Sequence, residues 1–316
     1  MKRRQFLKHS AIAAGSLYLM QSPSLFGSDE DSVKPELAIT IDDPNYTMAP
    51  LLAAMARNRK ILENLEKHNL KAALFVCGKR VDTPQGQKLL QSWDSAGHLI
   101  CNHTYSHYYY HSDEIDIPTY LEDIDCCDKM IGEYDNYTRL FRFPYLKEGD
   151  TAAKRDCARE YLRTHDYRHG YVTIDASDWY VDQRMSRRLR ENKSADISRY
   201  YDFYLQHIQE RAKYYSELAA QFYKKPIKHT LLIHHSLLNA LFLDQLLTDL
   251  KTAGWSLIDA DKAFEDPIYK REPNILPAGE SIIWALAKET GKYDDILRYP
   301  GEDSQYEEQK MDSLGL

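Results

Sequence analysis

The sequence predicts an α/β fold in which about seven parallel strands close into a barrel or a partly open barrel. Two observations carry this expectation. After residue 35, short apolar, β-favouring runs alternate with longer amphipathic ones, the pattern of parallel strands covered by helices. The 316 residues, 43% of them hydrophobic, suffice for one sizeable core or at most two domains. A third observation bears on function: chemically reactive residues recur where the predicted strands end, and such folds collect their chemistry at the carboxyl ends of their strands.

Taken in order, the predicted strands are 37–42, 72–77, 98–102, 140–143, 171–175, 230–234 and 256–259. Amphipathic stretches at 48–68, 119–134, 151–164 and 238–253 read as the covering helices. Residues 186–225 break the rhythm with tyrosines at 200, 201, 204, 214, 215 and 223. They read as one or two outer helices, their tyrosines either a packed stripe or a sugar-binding rim. The Pro- and charge-rich tail after Phe264 carries a short helical pattern near 281–288 and reads as a wrap on the barrel. The predicted organisation is therefore an export signal over 1–30, a catalytic domain over 31–265, and an extension over 266–316 packed on the barrel.

Charge and cysteine content exclude some functions. Forty-eight acidic and 41 basic side chains give a formal net charge of −7, a poor basis for nucleic-acid binding. Tyrosine outnumbers phenylalanine 24 to 9, which suits sugar and interface contacts as well as half-buried packing. The five cysteines form no Cys-x-x-Cys pair of the metal-binding kind and read as small buried hydrophobes, with a bridge between Cys77 and Cys101 left open. Lys2, Arg3 and Arg4 precede a modest apolar stretch from Ala11 to Met20, too short to span a bilayer comfortably. Arg3-Arg4-Gln5-Phe6-Leu7-Lys8 resembles a twin-arginine export signal, so the protein is expected to be exported, to the periplasm in a Gram-negative cell.

Five predicted strand ends carry the chemistry. The first gives Asp42-Asp43, the third His103 and His107, the fourth Arg142-Phe143-Pro144-Tyr145, the fifth Asp175 to Trp179, and the sixth His234-His235. Two histidines four apart on a helical turn share one face, with about 5–6 Å between Cβ atoms. With one carboxylate they make a three-ligand zinc-type site with an open position. Asp43 can close that triad, leaving Asp42 free to take a proton from water. Adjacent carboxylates repel, and a divalent cation removes that cost. His111 continues the spacing without a partner and reads as a surface residue.

These segments, in this order from about residue 36 to 260, resemble the five motifs of the polysaccharide deacetylase family (carbohydrate esterase family 4, the NodB-homology domain). The resemblance implies a distorted (β/α) barrel, one divalent metal, most often zinc with cobalt or manganese as alternatives, and hydrolysis of an acetyl group on a glycan. It implies Asp42 as base, and Asp43, His103 and His107 as metal ligands. It further implies Arg142 as the tether of Asp42 and the Tyr145 backbone N–H as an oxyanion donor. Asp178 would orient the acid His234, and Trp179 would wall the acetyl pocket. Pro44 stands where the family commonly has glycine, and His235 where it commonly has aspartate. Two other functions fit the same sequence: a hydrolase of cyclic amides or imides on the same barrel, and an exported carbohydrate-binding protein without catalysis.

Overall fold

The computed structural model describes residues 34–223, 225–298 and 304–316. The predicted signal over 1–30 lies outside the described residues. In chain order the elements are β1 (Glu36–Asp42), α1 (Ala54–Lys67), β2 (Ala73–Val76), α2 (Pro84–Ser95), β3 (Leu99–Asn102), α3 (Ile117–Ile131), β4 (Tyr137–Phe141) and β5 (Lys147–Gly149). There follow α4 (Ala152–Thr164), β6 (Arg168–His169), α5 (Asp178–Glu191), α6 (Ser198–Phe222), β7 (Lys228–His234) and α7 (Leu237–Thr252). The chain ends with β8 (Ser256–Leu257), α8 (Ala260–Ala263), β9 (Ala278–Gly279), α9 (Ile282–Thr290) and α10 (Gln305–Ser313).

The main sheet runs β6-β4-β3-β2-β1-β7, with β8 also on β1, and every pairing in it is parallel. β1 is the centre, and six of its seven residues are buried, as expected of a strand covered on both faces. The register sets Asp42 beside Phe75 of β2 and His234 of β7. Two residues far apart in the sequence, Asp42 and His234, thus become lateral neighbours at one carboxyl edge.

The expected strand at 171–175 is not a strand. The edge strand there is the shorter β6, and the chain beyond Gly170 crosses to β7, where a single bridge joins Ile174 to Leu231. Threonines complete the joint: Thr230 donates its N–H to Thr173 Oγ1 at 2.8 Å, and Thr173 Oγ1 donates to the Thr230 carbonyl at 3.1 Å. The barrel is therefore distorted, one side closing through a single backbone bridge and threonine side chains rather than a ladder. The tail covers this side. β9 pairs antiparallel with β5, Ser281 Oγ donates to the Thr173 carbonyl at 2.8 Å, and the Ile282 N–H donates to the Val172 carbonyl at 2.8 Å.

Other differences have local causes. Helix α1 begins at Ala54 rather than 48, because Pro50 disfavours helical geometry before it; residues 45–50 form a loop instead. The tyrosine-rich segment ends as α5 and α6, and α6 buries Tyr200, Tyr204 and Tyr215. No Cys77–Cys101 bridge forms: all five cysteines are free, with Cys77, Cys101 and Cys127 buried.

Candidate active site

Residues at the ends of β1, β3 and β7 and at the start of α5 meet in a cleft of about 420 Å³ lined by Asp42, Asp43, His103, His107, Trp179 and His234 among others. Asp43 leaves β1 in the left-handed region (φ 61°), which turns its carboxylate out of the sheet toward the loop after β3. That loop is not the helical turn expected from the four-residue spacing. Thr104 and His107 also take positive φ, and the turn is held by Asn102 Oδ1 accepting from the Thr104 N–H (2.9 Å) and Thr104 Oγ1 from the His107 N–H (3.0 Å). The outcome is the same, with the two imidazole centres 5.0 Å apart.

One ligating atom each of Asp43, His103 and His107 can be chosen so that all lie within 4.8 Å of one another. His103 Nδ1 lies 2.7 Å from the Arg142 carbonyl, which can only accept, so Nδ1 carries the proton and Nε2 is left with a lone pair. Burial, the largest influence, pushes both imidazoles below their ordinary pKa, favouring the neutral form a ligand needs. For Asp43 burial alone would raise the pKa, but His107, Arg80 and His103 hold it below the usual range. Asp43 Oδ1 is buried without a hydrogen-bond partner, a cost that a cation would relieve. The donor set, its protonation and this orphaned oxygen all fit a divalent metal.

Asp42 lies beside that set, its Oδ2 3.6 Å from His103 Nε2. Its Oδ1 is 2.5 Å from Arg142 Nη1, and both side chains are buried. Arg142 is fixed in turn by donating Nε–H to the Gly170 carbonyl at 2.8 Å, and its guanidinium carbon lies 3.8 Å over the Phe75 ring. Burial lifts Asp42 to about 6, against the pull of Arg142 and His234. The sequence suggested that arginine would govern this carboxylate; desolvation outweighs it, yet Asp42 is still mostly ionised at pH 7.

Across the cleft, His234 Nδ1 is 2.7 Å from Asp178 Oδ1. Asp178 is fully buried, and its Oδ2 accepts from the His234 backbone N–H (2.8 Å) and Asn239 Nδ2 (2.8 Å). Burial, the largest single influence, would lower the His234 pKa, but Asp178, Asp42 and Asp43 together raise it to about 9. His235 differs: its Nε2 lies 3.1 Å from Asn58 Oδ1, and burial pushes it down to about 3. The two adjacent histidines thus sit in different surroundings, and only His234 is paired with a carboxylate.

Tyr145 lines the cleft with its backbone at φ 56° and its ring 4.6 Å from that of His107; Trp179 and Asp175 line it as well. His111 is not a free surface residue: half-buried, it places Nε2 3.0 Å from the Ala278 carbonyl. Several cleft residues were not expected from the sequence. Arg80 Nη1 sits 3.0 Å from Asp43 Oδ2. Arg57 donates to the Asn45 and Thr47 carbonyls at 2.7 and 3.1 Å and so holds the loop after β1. Asp182, raised to about 6 by burial, accepts from the Leu238 N–H at 2.8 Å. Only Asp182 left a signal, its four-residue spacing from Asp178 on one helical face.

Residues 29–168 match the family described as polysaccharide deacetylase. A peptidoglycan-N-acetylglucosamine deacetylase of Bacillus cereus is 36% identical over 75 residues, 23% of this chain and 23% of that protein. The chain thus matches under a quarter of its curated relative's length. Among solved structures, a peptidoglycan N-acetylglucosamine deacetylase in complex with an N-hydroxybenzamide-type ligand aligns with TM-score 0.52 and 20% identity, covering 73% of this chain and 89% of that one. A CE4 family pseudoenzyme from Bacillus anthracis aligns with TM-score 0.50 and 19% identity, covering 73% and 65%. At these identities the structures establish the fold, and the pair shows that the fold alone does not decide activity. Residues 29–168 of this chain are thus similar to polysaccharide deacetylases, and the described chain shares the distorted barrel of their solved structures.

Proposed function

We propose that the protein is a metal-dependent hydrolase that removes N-acetyl or O-acetyl groups from a glycan, a cell-envelope polysaccharide being the class its curated relative acts on. The observation that carries this reading is one cleft holding a complete Asp43–His103–His107 donor set between a tethered carboxylate and a carboxylate-oriented imidazole. Two imidazoles and one carboxylate suit zinc better than magnesium or calcium. A divalent ion there supplies Lewis acidity and lowers the pKa of a coordinated water toward ~7.

The chain's own residues manage the protons. Asp42, oriented by Arg142, accepts a proton from the attacking water as its oxygen bonds to the acetyl carbon. The backbone N–H of Tyr145 donates to the oxyanion that forms, and Trp179 walls the acetyl methyl. The carbon–nitrogen bond then breaks with its electron pair on nitrogen, and that nitrogen takes a proton from His234 Nε2. Acetate and a free amino sugar result. Asp178 keeps His234 protonated beforehand and holds its ring in place.

The test is acetate release from a panel of acetylated glycans, with metal content measured on the same sample and on His103→Ala. Stoichiometric metal that disappears in the variant, together with acetate from at least one glycan, supports the reading. Imide opening without acetate release would replace it by the cyclic-amide alternative. We further propose export through the twin-arginine route on the strength of Arg3-Arg4; replacing both by lysine should leave the precursor in the cytoplasm on cell fractionation.

A further inference from the structure

One wall of the cleft extends well beyond the reacting groups. Trp179, Asp182, Ser186 and Arg190 all line it, and their spacing of three, four and four places them on one face of α5. From Trp179 to Arg190 that face runs about 16 Å at 1.5 Å per residue, more than a single sugar ring spans. The loop of Thr47, Met48 and Pro50, held by Arg57, also lines the cleft. The cleft is therefore a trough leading away from the metal donors along α5.

The far end of the trough is basic in a chain of net charge −7. The last two turns of α5 carry Arg184, Arg187, Arg188 and Arg190. Arg184 is engaged by Asp312 at 2.6 Å. Arg187, Arg188 and Arg190 are exposed, and Arg190 reaches the cleft itself. At the near end the carboxylates of Asp42 and Asp43 are matched by Arg142 and Arg80. A substrate that fits the trough presents an acetylated sugar to the near end and a negative charge some sugars away to the basic end. Guanidinium pairs with the planar or tetrahedral oxygens of carboxylate and phosphate alike.

We propose that the protein selects anionic glycans, chains bearing carboxylate or phosphate groups, and that Arg190 is the residue that recognises the charge. This rests on the deacetylase reading of the same cleft. The interaction is solvent-exposed, so its size is that of a surface ion pair, and it is screened by salt.

The experiment compares acetylated oligosaccharides of equal length in three forms: neutral, carboxylated and phosphorylated. The wild-type protein should show a lower KM for at least one anionic form, and the advantage should shrink at high salt. Arg190→Gln should raise KM for that form about two- to fivefold with kcat unchanged, and leave the neutral form untouched. Arg190→Lys should restore most of the difference, and Arg190→Glu should abolish the preference. Which anionic form responds identifies the substituent. Equal kinetics for all three forms in the wild type, or equal losses on neutral and anionic forms in Arg190→Gln, would overturn the proposal. If the wild type releases no acetate from any form, the deacetylase reading falls; equilibrium binding of the three oligosaccharides to the then unreactive protein still reads the selectivity.

Discussion

In the proposed reaction Asp42 and Asp43, neighbours in the chain, have different tasks, set by what each faces. Asp43 Oδ2 lies 3.5 Å from His107 Nε2 and 3.0 Å from Arg80 Nη1, whereas Asp42 Oδ1 lies 2.5 Å from Arg142 Nη1 and its Oδ2 3.6 Å from His103 Nε2. Asp42→Asn should therefore keep its metal while losing about 10²–10⁴-fold in acetate release, since an amide cannot accept the proton. Metal content and turnover measured on one preparation check this, and loss of metal would merge the two roles. In the proposed reaction His234 supplies the alkaline limb. Its pKa is raised to about 9, so the protonated acid persists below that pH and is lost as pH rises through it. The kcat/KM of the wild type should accordingly fall only above about pH 9. Asp178→Asn removes the largest of the charges that raise this pKa, so the limb should move down by at least one unit toward the ordinary histidine value near 6.5. An unmoved limb in that variant would show that His234 is not the titrating acid. His235 cannot take its place, because burial keeps it neutral.

Three helices buttress that acid. Tyr204 of α6 donates to Asn239 Oδ1 of α7 at 2.5 Å, and Asn239 Nδ2 donates to Asp178 Oδ2 at the start of α5 and to the His234 carbonyl, both at 2.8 Å. Ser236 caps α7 by accepting from the Asn239 N–H, which fixes the turn just after His234. Asn239→Ala leaves the Tyr204 hydroxyl and one Asp178 oxygen short of a partner. It should cost about 1–3 kcal/mol in urea unfolding. It should also lower kcat about tenfold with little change in KM, because the acid loses its orientation rather than the substrate its site. Lost stability with kcat intact would make Asn239 structural only. Strand ends were legible in the sequence because core packing alone gives a buried apolar run no reason to end in Asp, His or Arg, and Asp42, Asp43, His103, Arg142 and His234 fell into place. The buttress was not: Tyr204 was one tyrosine in a polar-aromatic run, and only three-dimensional packing turns it toward Asn239. The His103–His107 pair was found through the wrong local structure, since a turn with two positive-φ residues reproduces what a helical turn would give. Arg80 and Arg57 escaped for a different reason: long side chains reach the cleft from positions whose own neighbourhood shows nothing unusual.

At the scale of the molecule, the main sheet does not close by itself. The 171–175 segment meets β7 through one bridge and a pair of threonines, and the tail lies against that joint. Ser281 and Ile282 bond directly to the carbonyls of Thr173 and Val172. Ile282, Ile283, Leu286 and Ala287 of α9 are buried in the main core, and α9 packs on α6. β9 meanwhile holds β5, the strand that follows Tyr145, with Gly279 at φ 134° so close to the Leu146 carbonyl that a Cβ would fall 2.0 Å from it. The tail therefore touches both the joint of the barrel and the loop that carries the Tyr145 N–H. Burial of Ile282, Ile283 and Leu286 contributes about 1.5–3 kcal/mol each, together a large part of the roughly 5–15 kcal/mol that stabilises a typical domain. Ending the chain after Glu265 should accordingly leave it largely unfolded or aggregated, seen as loss of a cooperative urea transition. A gentler variant isolates the contact with the site. Gly279→Ala forces a methyl into the Leu146 carbonyl at a backbone angle that alanine rarely adopts. It should lower stability by about 1–3 kcal/mol and reduce acetate release more than metal binding, since the strain falls on the turn of Tyr145 and not on the β1 and β3 ends. If the truncated chain unfolds cooperatively at the wild-type urea midpoint, the tail is an appendage and the barrel closes without it.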